Sequence, residues 1–178
     1  MIQRSMSIIW VTLLLMLWSS AGLAQTPYYA GKTITIVAGT KAGDVYDLYA
    51  RMFAQFMPKY IPGHPNIIVQ NMAGAGSMIA ANFVYNVSNP DGLTIGAIFP
   101  ALYFDQVVQR TEVKYDWSKF AWIGSPVTSN HLLYMRADSP YKTIHDVVKA
   151  STAPKCGATG TSSTAYYVPK LLDEVIGT

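Results

Sequence analysis

Apolar positions along this chain switch between two periods from Ile34 onward. Ile34 to Ala38 is a β-branched run bounded by Gly31 and Gly39, which predicts a buried strand. Leu48, Met52, Phe53 and Phe56 follow at i, i+4, i+5 and i+8, the spacing of a helix with that stripe against a core. The helix is expected to end near Pro58, and Pro62-Gly63-His64-Pro65 is a turn that no helix can cross. Ile67 to Val69 predicts a second strand. Ile79, Phe83, Val84 and Val87 then repeat the helical spacing, again as expected core contacts. Asn89-Pro90-Asp91-Gly92 is turn chemistry: proline pre-sets φ, aspartate bonds its own backbone and glycine supplies φ > 0. Leu93 to Phe99 completes a β-α-β-α-β order, which calls for parallel strands joined by helical crossovers.

Beyond that unit the pattern is weaker. A helix-like stretch covers Ala101 to Arg110, followed by Trp117 to Ile123 and by Leu132 to Met135, the latter read as a short strand. Asp138-Ser139-Pro140 breaks the chain, and Thr143 with Asp146 forms a capping-box-like start to Ile144, Val147 and Val148. Lys155 to Ala158 reads as another strand, with Cys156 a small buried hydrophobe on it. A small-residue loop, Thr159 to Thr164, leads into a last helix ending near Gly177. Because proline suits only the first turn, Pro169 places that helix's start no earlier than Tyr166.

The candidate chemistry lies where strands meet helices. Gly39-Thr40-Lys41-Ala42-Gly43-Asp44 follows the first strand, and Asn71-Met72-Ala73-Gly74-Ala75-Gly76-Ser77 follows the second. Such loops present unpaired backbone N–H groups at the positive end of a helix dipole, a ready anion site. In parallel sheets they also lie at the carboxyl ends of the strands, where ligands bind. Glycines in tight strand-to-helix turns are the plainer explanation for one such loop; the pair points to a receptor for a small carboxylate. Lys41 is either a source of positive charge or a solvated loop residue. Asp44 would repel an anion unless it caps the helix, and capping is its expected role. Asp47 and Arg51, at i and i+4, are read as structural, holding the loop from the helix side.

Enzyme signatures are missing. Gly39 to Gly43 has no following Gly-Lys-Ser/Thr, position 79 is Ile where a dinucleotide fingerprint needs glycine, and no Gly-x-Ser-x-Gly elbow occurs. His64, His131 and His145 lack metal-ligand spacing; His64 is expected to be exposed, while His131 could reach a cleft. No catalytic residue, metal or cofactor is expected. Cys156 is the only cysteine, so no internal disulfide can form. The formal charge of +3 comes from scattered lysines and arginines rather than a basic patch, which argues against nucleic acid as a partner.

The first 24 residues read as a secretory signal. Arg4 gives a positive start, Ile8 to Trp18 is an apolar run, and Gly22-Leu23-Ala24 is a small-x-small cleavage site. That run is too short for the ~20 residues that span a bilayer. Export to the periplasm is therefore expected, and the remainder suits one modest domain by length.

Taken in order, Ala42-Gly43, Asp47-x-x-Ala50-Arg51, Asn71-x-x-Gly74-Ala75-Gly76 and Pro90-Asp91-Gly92 resemble the substrate-binding proteins of tripartite tricarboxylate transporters, the Bug or TctC-like receptors. Asp138-Ser139-Pro140-Tyr141-Lys142-Thr143 and Gly157 to Ser163 look like that family's passage into its second lobe. The resemblance runs from about Thr33 to the last residue. It implies an α/β, type II periplasmic-binding-protein-like architecture of two lobes with parallel-rich sheets. Residues 25–135 would form lobe one and 136–178 the start of an incomplete lobe two, since family members continue through lobe two and return to lobe one. It also implies a small organic acid as ligand and membrane transporter subunits as partners. Carried over, the ligand-binding residues would be Thr40, Lys41, Ala42, Gly43 and Asp44; Ala73, Gly74, Ala75, Gly76 and Ser77; Phe99, Pro100 and Ala101; and Thr161, Ser162 and Ser163. Two positions depart from the family: its usual second glycine of the first loop is Asp44 here, and its Ser/Thr before the helix aspartate is Tyr46. Both bear on the charge and size of the solute. A small exported α/β hydrolase and a non-functional receptor fragment are the alternatives.

Export makes the first testable prediction. N-terminal sequencing of periplasmic material is expected to begin at Gln25; an intact Met1 there would refute the signal assignment.

Overall fold

The computed structural model describes residues 26–128, 132–158 and 160–177. Three parallel strands form its sheet: β1 (Thr33–Ala38), β2 (Asn66–Asn71) and β3 (Thr94–Ala97), in the order β2-β1-β3. Ile36 stands opposite Val69 on one side and Ile95 on the other. The expected β-α-β-α-β order is present, with α1 (Val45–Phe56) and α2 (Met78–Asn86) as the connecting helices. A central parallel strand has both faces covered, so it must be apolar throughout. β1 meets that demand over its second half, where Ile36, Val37 and Ala38 are all buried, while Thr33 is exposed and Thr35 half-buried.

The two faces carry different layers. Ile34, Ile36 and Ala38 pack with Ala50 of α1, Ile67 of β2 and the half-buried Phe53, Met57, Val69 and Ile95. Gly96, of opposite parity to Ile95, faces Val84 of α2, which puts that helix on the other side of the sheet. Met78 and Ala81 of α2 join Leu102, Tyr115, Phe99, Trp117 and Phe120 in a second cluster. Leu102 opens the short helix α3 (Leu102–Val107).

The helical spacing identified both helices and placed Phe53 and Val84 against the sheet, but most of each expected stripe faces outward. Leu48, Met52 and Phe56 are exposed, at 58%, 41% and 49%. The buried residues of α1 are Asp47 and Ala50, because the hydrogen bonds of Asp47 fix the helix's rotation about its axis. In α2 the buried residues are Met78, Ala80 and Ala81, whereas Ile79 and Val87 face outward. Small side chains there let the helix approach the sheet closely.

Neither Leu132–Met135 nor Lys155–Ala158 forms a strand, and Cys156 is exposed rather than buried. A strand exists only if a neighbour accepts its ladder, and neither segment pairs with β2 or β3. The Thr143–Asp146 capping box is present at the start of α4 (Ile144–Val148). The last helix, α5 (Thr164–Ile176), starts two residues before the expected limit and holds Pro169 inside. Ser163 supplies the cap position, its carbonyl accepting from Tyr166 and Tyr167, and the turn is anchored by Tyr167. Tertiary anchoring outweighs the one amide that Pro169 lacks.

Burial separates the two candidate core sets experimentally. Ile36→Ala is expected to lower unfolding free energy by about 2–5 kcal/mol, as for deletion of a buried aliphatic side chain. Leu48→Ala is expected to stay within about 0.5 kcal/mol, as at exposed positions. Urea denaturation of the two variants checks the ranking.

Candidate functional site

The four segments carried over from the sequence lie around the carboxyl edge of the sheet, and named contacts join them in pairs. The first, Gly39 to Asp44, leaves β1 and enters α1. Asp44 caps the helix, its side chain accepting from the Tyr46 amide at 3.2 Å, so its charge is spent on the helix N-terminus as expected. Lys41 and Ala42 are exposed, and Lys41 has no side-chain partner among the described residues. Gly43 has φ +84°, a left-handed conformation that penalises a side chain even where space is open. Thr40 is buried, and its hydroxyl has no hydrogen-bond partner among the described residues.

Asp47 ties this loop to the next. One carboxylate oxygen accepts from the Gly43 amide at 2.8 Å and from Arg51 Nε at 2.9 Å; the other accepts from Asn71 Nδ2 at 2.8 Å. Asn71 Nδ2 also donates to the Thr40 carbonyl at 3.1 Å, and Arg51 Nη2 donates to Asn71 Oδ1 at 3.3 Å. The carboxyl of Asp47 is accordingly held well below the ordinary 3.8, first by Arg51, then by the Gly43 amide and Asn71. The i, i+4 spacing therefore marked a structural pair, as read, and Asn71 extends it to the second loop.

That second loop reverses sharply. Gly74 has φ +148°, and Ala75, Gly76 and Ser77 follow in the left-handed region at +44°, +59° and +72°. Two of these are not glycine, and such residues cost of order 1–3 kcal/mol each unless their surroundings hold them. Ser77 is held: its buried hydroxyl donates to the Gly39 carbonyl at 2.9 Å. A Cβ at Gly39 would lie 2.2 Å from Ser77 Oγ, so glycine is required there for the two loops to touch.

The third segment lies beside the first. Phe99 packs on Tyr46 with ring centroids 4.7 Å apart, Pro100 is exposed, and Ala101 is buried at the start of α3. Burial, then the charge of Asp44, raises the Tyr46 hydroxyl above its ordinary value. The position that departs from the family motif thus lends the site an aromatic wall. In the fourth segment Ser162 rests on the second loop, where a Cβ at Gly76 would come within 2.7 Å of Ser162 Cβ. Thr161 is exposed, and the Ser163 hydroxyl donates to the Gly160 carbonyl.

Sequence reading missed three residues here. Arg110 Nη1 lies 3.2 Å from Asp105 Oδ1 and 3.1 Å from each hydroxyl of Thr161 and Ser162. Tyr167 donates its hydroxyl to Asp105 at 2.6 Å. Burial first, then that bond, pushes the Tyr167 hydroxyl up to about 12, so it keeps its proton to donate. Asp105 and Arg110 sit in a stretch read simply as helix, with partners 51 to 62 residues away and no local spacing to announce them. His131 lies outside the described residues; His64 is exposed with its ring nitrogen beside the Pro58 carbonyl. Among the described residues no cluster of His, Cys, Asp or Glu stands close enough to hold a metal.

The model of the tripartite tricarboxylate transporter family receptor, TctC, matches residues 49–178. The chain belongs to this family. No curated protein and no solved structure matches it significantly. TctC receptors are substrate-binding proteins rather than enzymes, have the type II periplasmic-binding fold, and are periplasmic in general. The α/β unit with its parallel sheet agrees with that fold. The match begins inside α1, so it covers the second, third and fourth segments. The first loop precedes it and is tied to the second by the Asp47–Asn71 bond.

Asp47 makes the acid behaviour of the receptor predictable. A carboxyl whose folded value is depressed adds stability that is fully present above its unfolded value and is lost as pH falls toward the folded one. Thermal stability is therefore expected to decline as pH drops below about 4, the ordinary range for Asp. Asp47→Asn is expected to be less stable at neutral pH and to flatten the decline. Melting curves from pH 7 to pH 2.5 check both; a variant as acid-sensitive as wild type would refute the assignment.

Proposed function

We propose that this chain captures a small carboxylated organic acid in the periplasm and delivers it to the membrane subunits of a tripartite tricarboxylate-type transporter. The observation that carries this reading is the joining of the first two glycine loops at the carboxyl edge of a parallel sheet. Asp47, Asn71 and the Ser77–Gly39 bond clamp them together. Backbone amides at such loops bind an anion without a side-chain charge. The charges nearby fit that division of labour. Arg51 is matched by Asp47 and Arg110 by Asp105, which leaves Lys41 as a supplementary cation at the rim. The site in this reading comprises Thr40 to Asp44, Ala73 to Ser77, Phe99 to Ala101 and Thr161 to Ser163. Residues 25–135 form the first lobe and 136–178 belong to the second. Residues 1–24 serve as the export signal; they lie outside the described residues.

Loop backbone and side-chain charge are separable by mutation. Gly43→Val and Gly76→Val are each expected to abolish binding, the first by forcing a branched residue to φ +84°, the second by collision with Ser162. Lys41→Ala is expected to cost no more than about 1.5–3 kcal/mol, the range for a hydrogen bond to a charged group. Titration calorimetry with succinate, citrate and benzoate tests the ranking, with circular dichroism to verify folding. The opposite ranking would assign recognition to the lysine.

A further inference from the structure

Arg110 stands where two stretches distant in sequence meet: α3, and the Thr161–Ser163 segment with the first turns of α5 that follow it. Its Nη1 reaches Asp105 and the hydroxyls of Thr161 and Ser162, all at 3.1–3.2 Å. Asp105 is wholly buried and also receives the Tyr167 hydroxyl, while the Tyr167 ring lies 5.3 Å from that of Phe104. Ser162, on the far side of this cluster, presses on Gly76, whose left-handed backbone leaves no room for a Cβ.

We propose that Arg110, with Asp105 and Tyr167, forms a latch that holds Thr161–Ser163 against the second glycine loop and so sets the width of the solute site. Its effect on binding rests on the receptor reading given above. Arg110 is a positioning residue and not the solute's counter-charge. Its guanidinium is already matched by the buried carboxylate of Asp105, with Glu112 3.5 Å from Nη2. Pulling it away would leave Asp105 charged and unpaired out of water, a large penalty. The contacts to Thr161 and Ser162 differ in kind. These join neutral hydroxyls, that of Thr161 exposed and that of Ser162 buried, and leaving a buried neutral hydroxyl without a partner costs less than unpairing a buried charge. One side of the latch is therefore fixed by a buried charge, and the hydroxyl side is the weaker of the two and the first to give.

Hydrogen–deuterium exchange on the full chain tests this, with Arg110→Ala and the milder Tyr167→Phe against wild type. Amides of residues 160–168 are expected to exchange at least tenfold faster in both variants, while those of β1 and β2 keep wild-type rates. Unchanged exchange at 160–168 in both variants overturns the latch. Equal acceleration throughout β1 and β2 in both also overturns it, since the cluster would then be ordinary core. Both outcomes are read without any solute. With saturating succinate, citrate or benzoate, wild-type protection at 160–168 is expected to rise, and the variants are expected to lose at least fivefold of that gain; an equal gain in the variants overturns the latch's role in the site. If none of the three acids binds wild type, the receptor reading fails, and the solute-free exchange still decides whether the latch exists.

Discussion

The carboxylate of Asp47 is the constraint on which this fold turns. It is 1% exposed, yet it accepts from a loop amide, an arginine on its own helix and an asparagine at the end of the neighbouring strand. Burying a charge is costly unless hydrogen bonds compensate it. Those three donors can converge only if α1 is rotated with Asp47 inward, Gly43 turns back over the helix start and β2 ends level with β1. The register of Ala38 opposite Asn71 meets the last condition. One side chain thereby sets the helix face, the loop path and the alignment of two loops. The apolar stripe of Leu48, Met52 and Phe56 is left on the outside as a consequence.

On the other face of the sheet the constraint is steric. The second loop runs through three consecutive left-handed residues, and its Ser77 hydroxyl caps the carbonyl of Gly39. Close approach at Gly39 and at Gly76 is what brings the first, second and fourth segments together; a methyl group at either would force them apart. Interiors are packed too densely to absorb such a shift. Backbone strain is thus concentrated at the carboxyl edge of the sheet, and a strand ladder and two helices hold it there.

Charge follows the same division. Both arginines near the loops are bound to aspartates of the chain itself, and Asp44 is bound to a helix N-terminus. Side-chain charge in this region is therefore mainly structural, and in the proposed receptor it leaves recognition to the backbone dipoles. Tyr46, stacked on Phe99, replaces the small hydroxyl residue of the family motif and brings an aromatic surface to the same edge. A ring there takes up space and favours flat apolar neighbours.

What the sequence determined by itself is whatever depends on neighbours within about one helical turn. The β-α-β-α-β order, the parallel sheet it requires, the Asp44 cap, the Thr143–Asp146 capping box and the glycine loops were all legible, and their succession carried the family resemblance. Periodicity could not choose among apolar stripes in α1 and α2, because the choice was made by Asp47 and by the small residues Ala80 and Ala81 across a distant interface. Nor could it show that Leu132–Met135 and Lys155–Ala158 lack a pairing partner, that Cys156 is exposed, or that α5 accommodates Pro169. The Arg110 cluster was invisible for the same reason: its bonds to Thr161 and Ser162 and the Tyr167–Asp105 bond join residues more than fifty positions apart, and a local pattern cannot encode where a folded chain returns to itself. Those features belong to the tertiary structure, where burial and the pairing of buried polar groups decide between local alternatives of nearly equal energy.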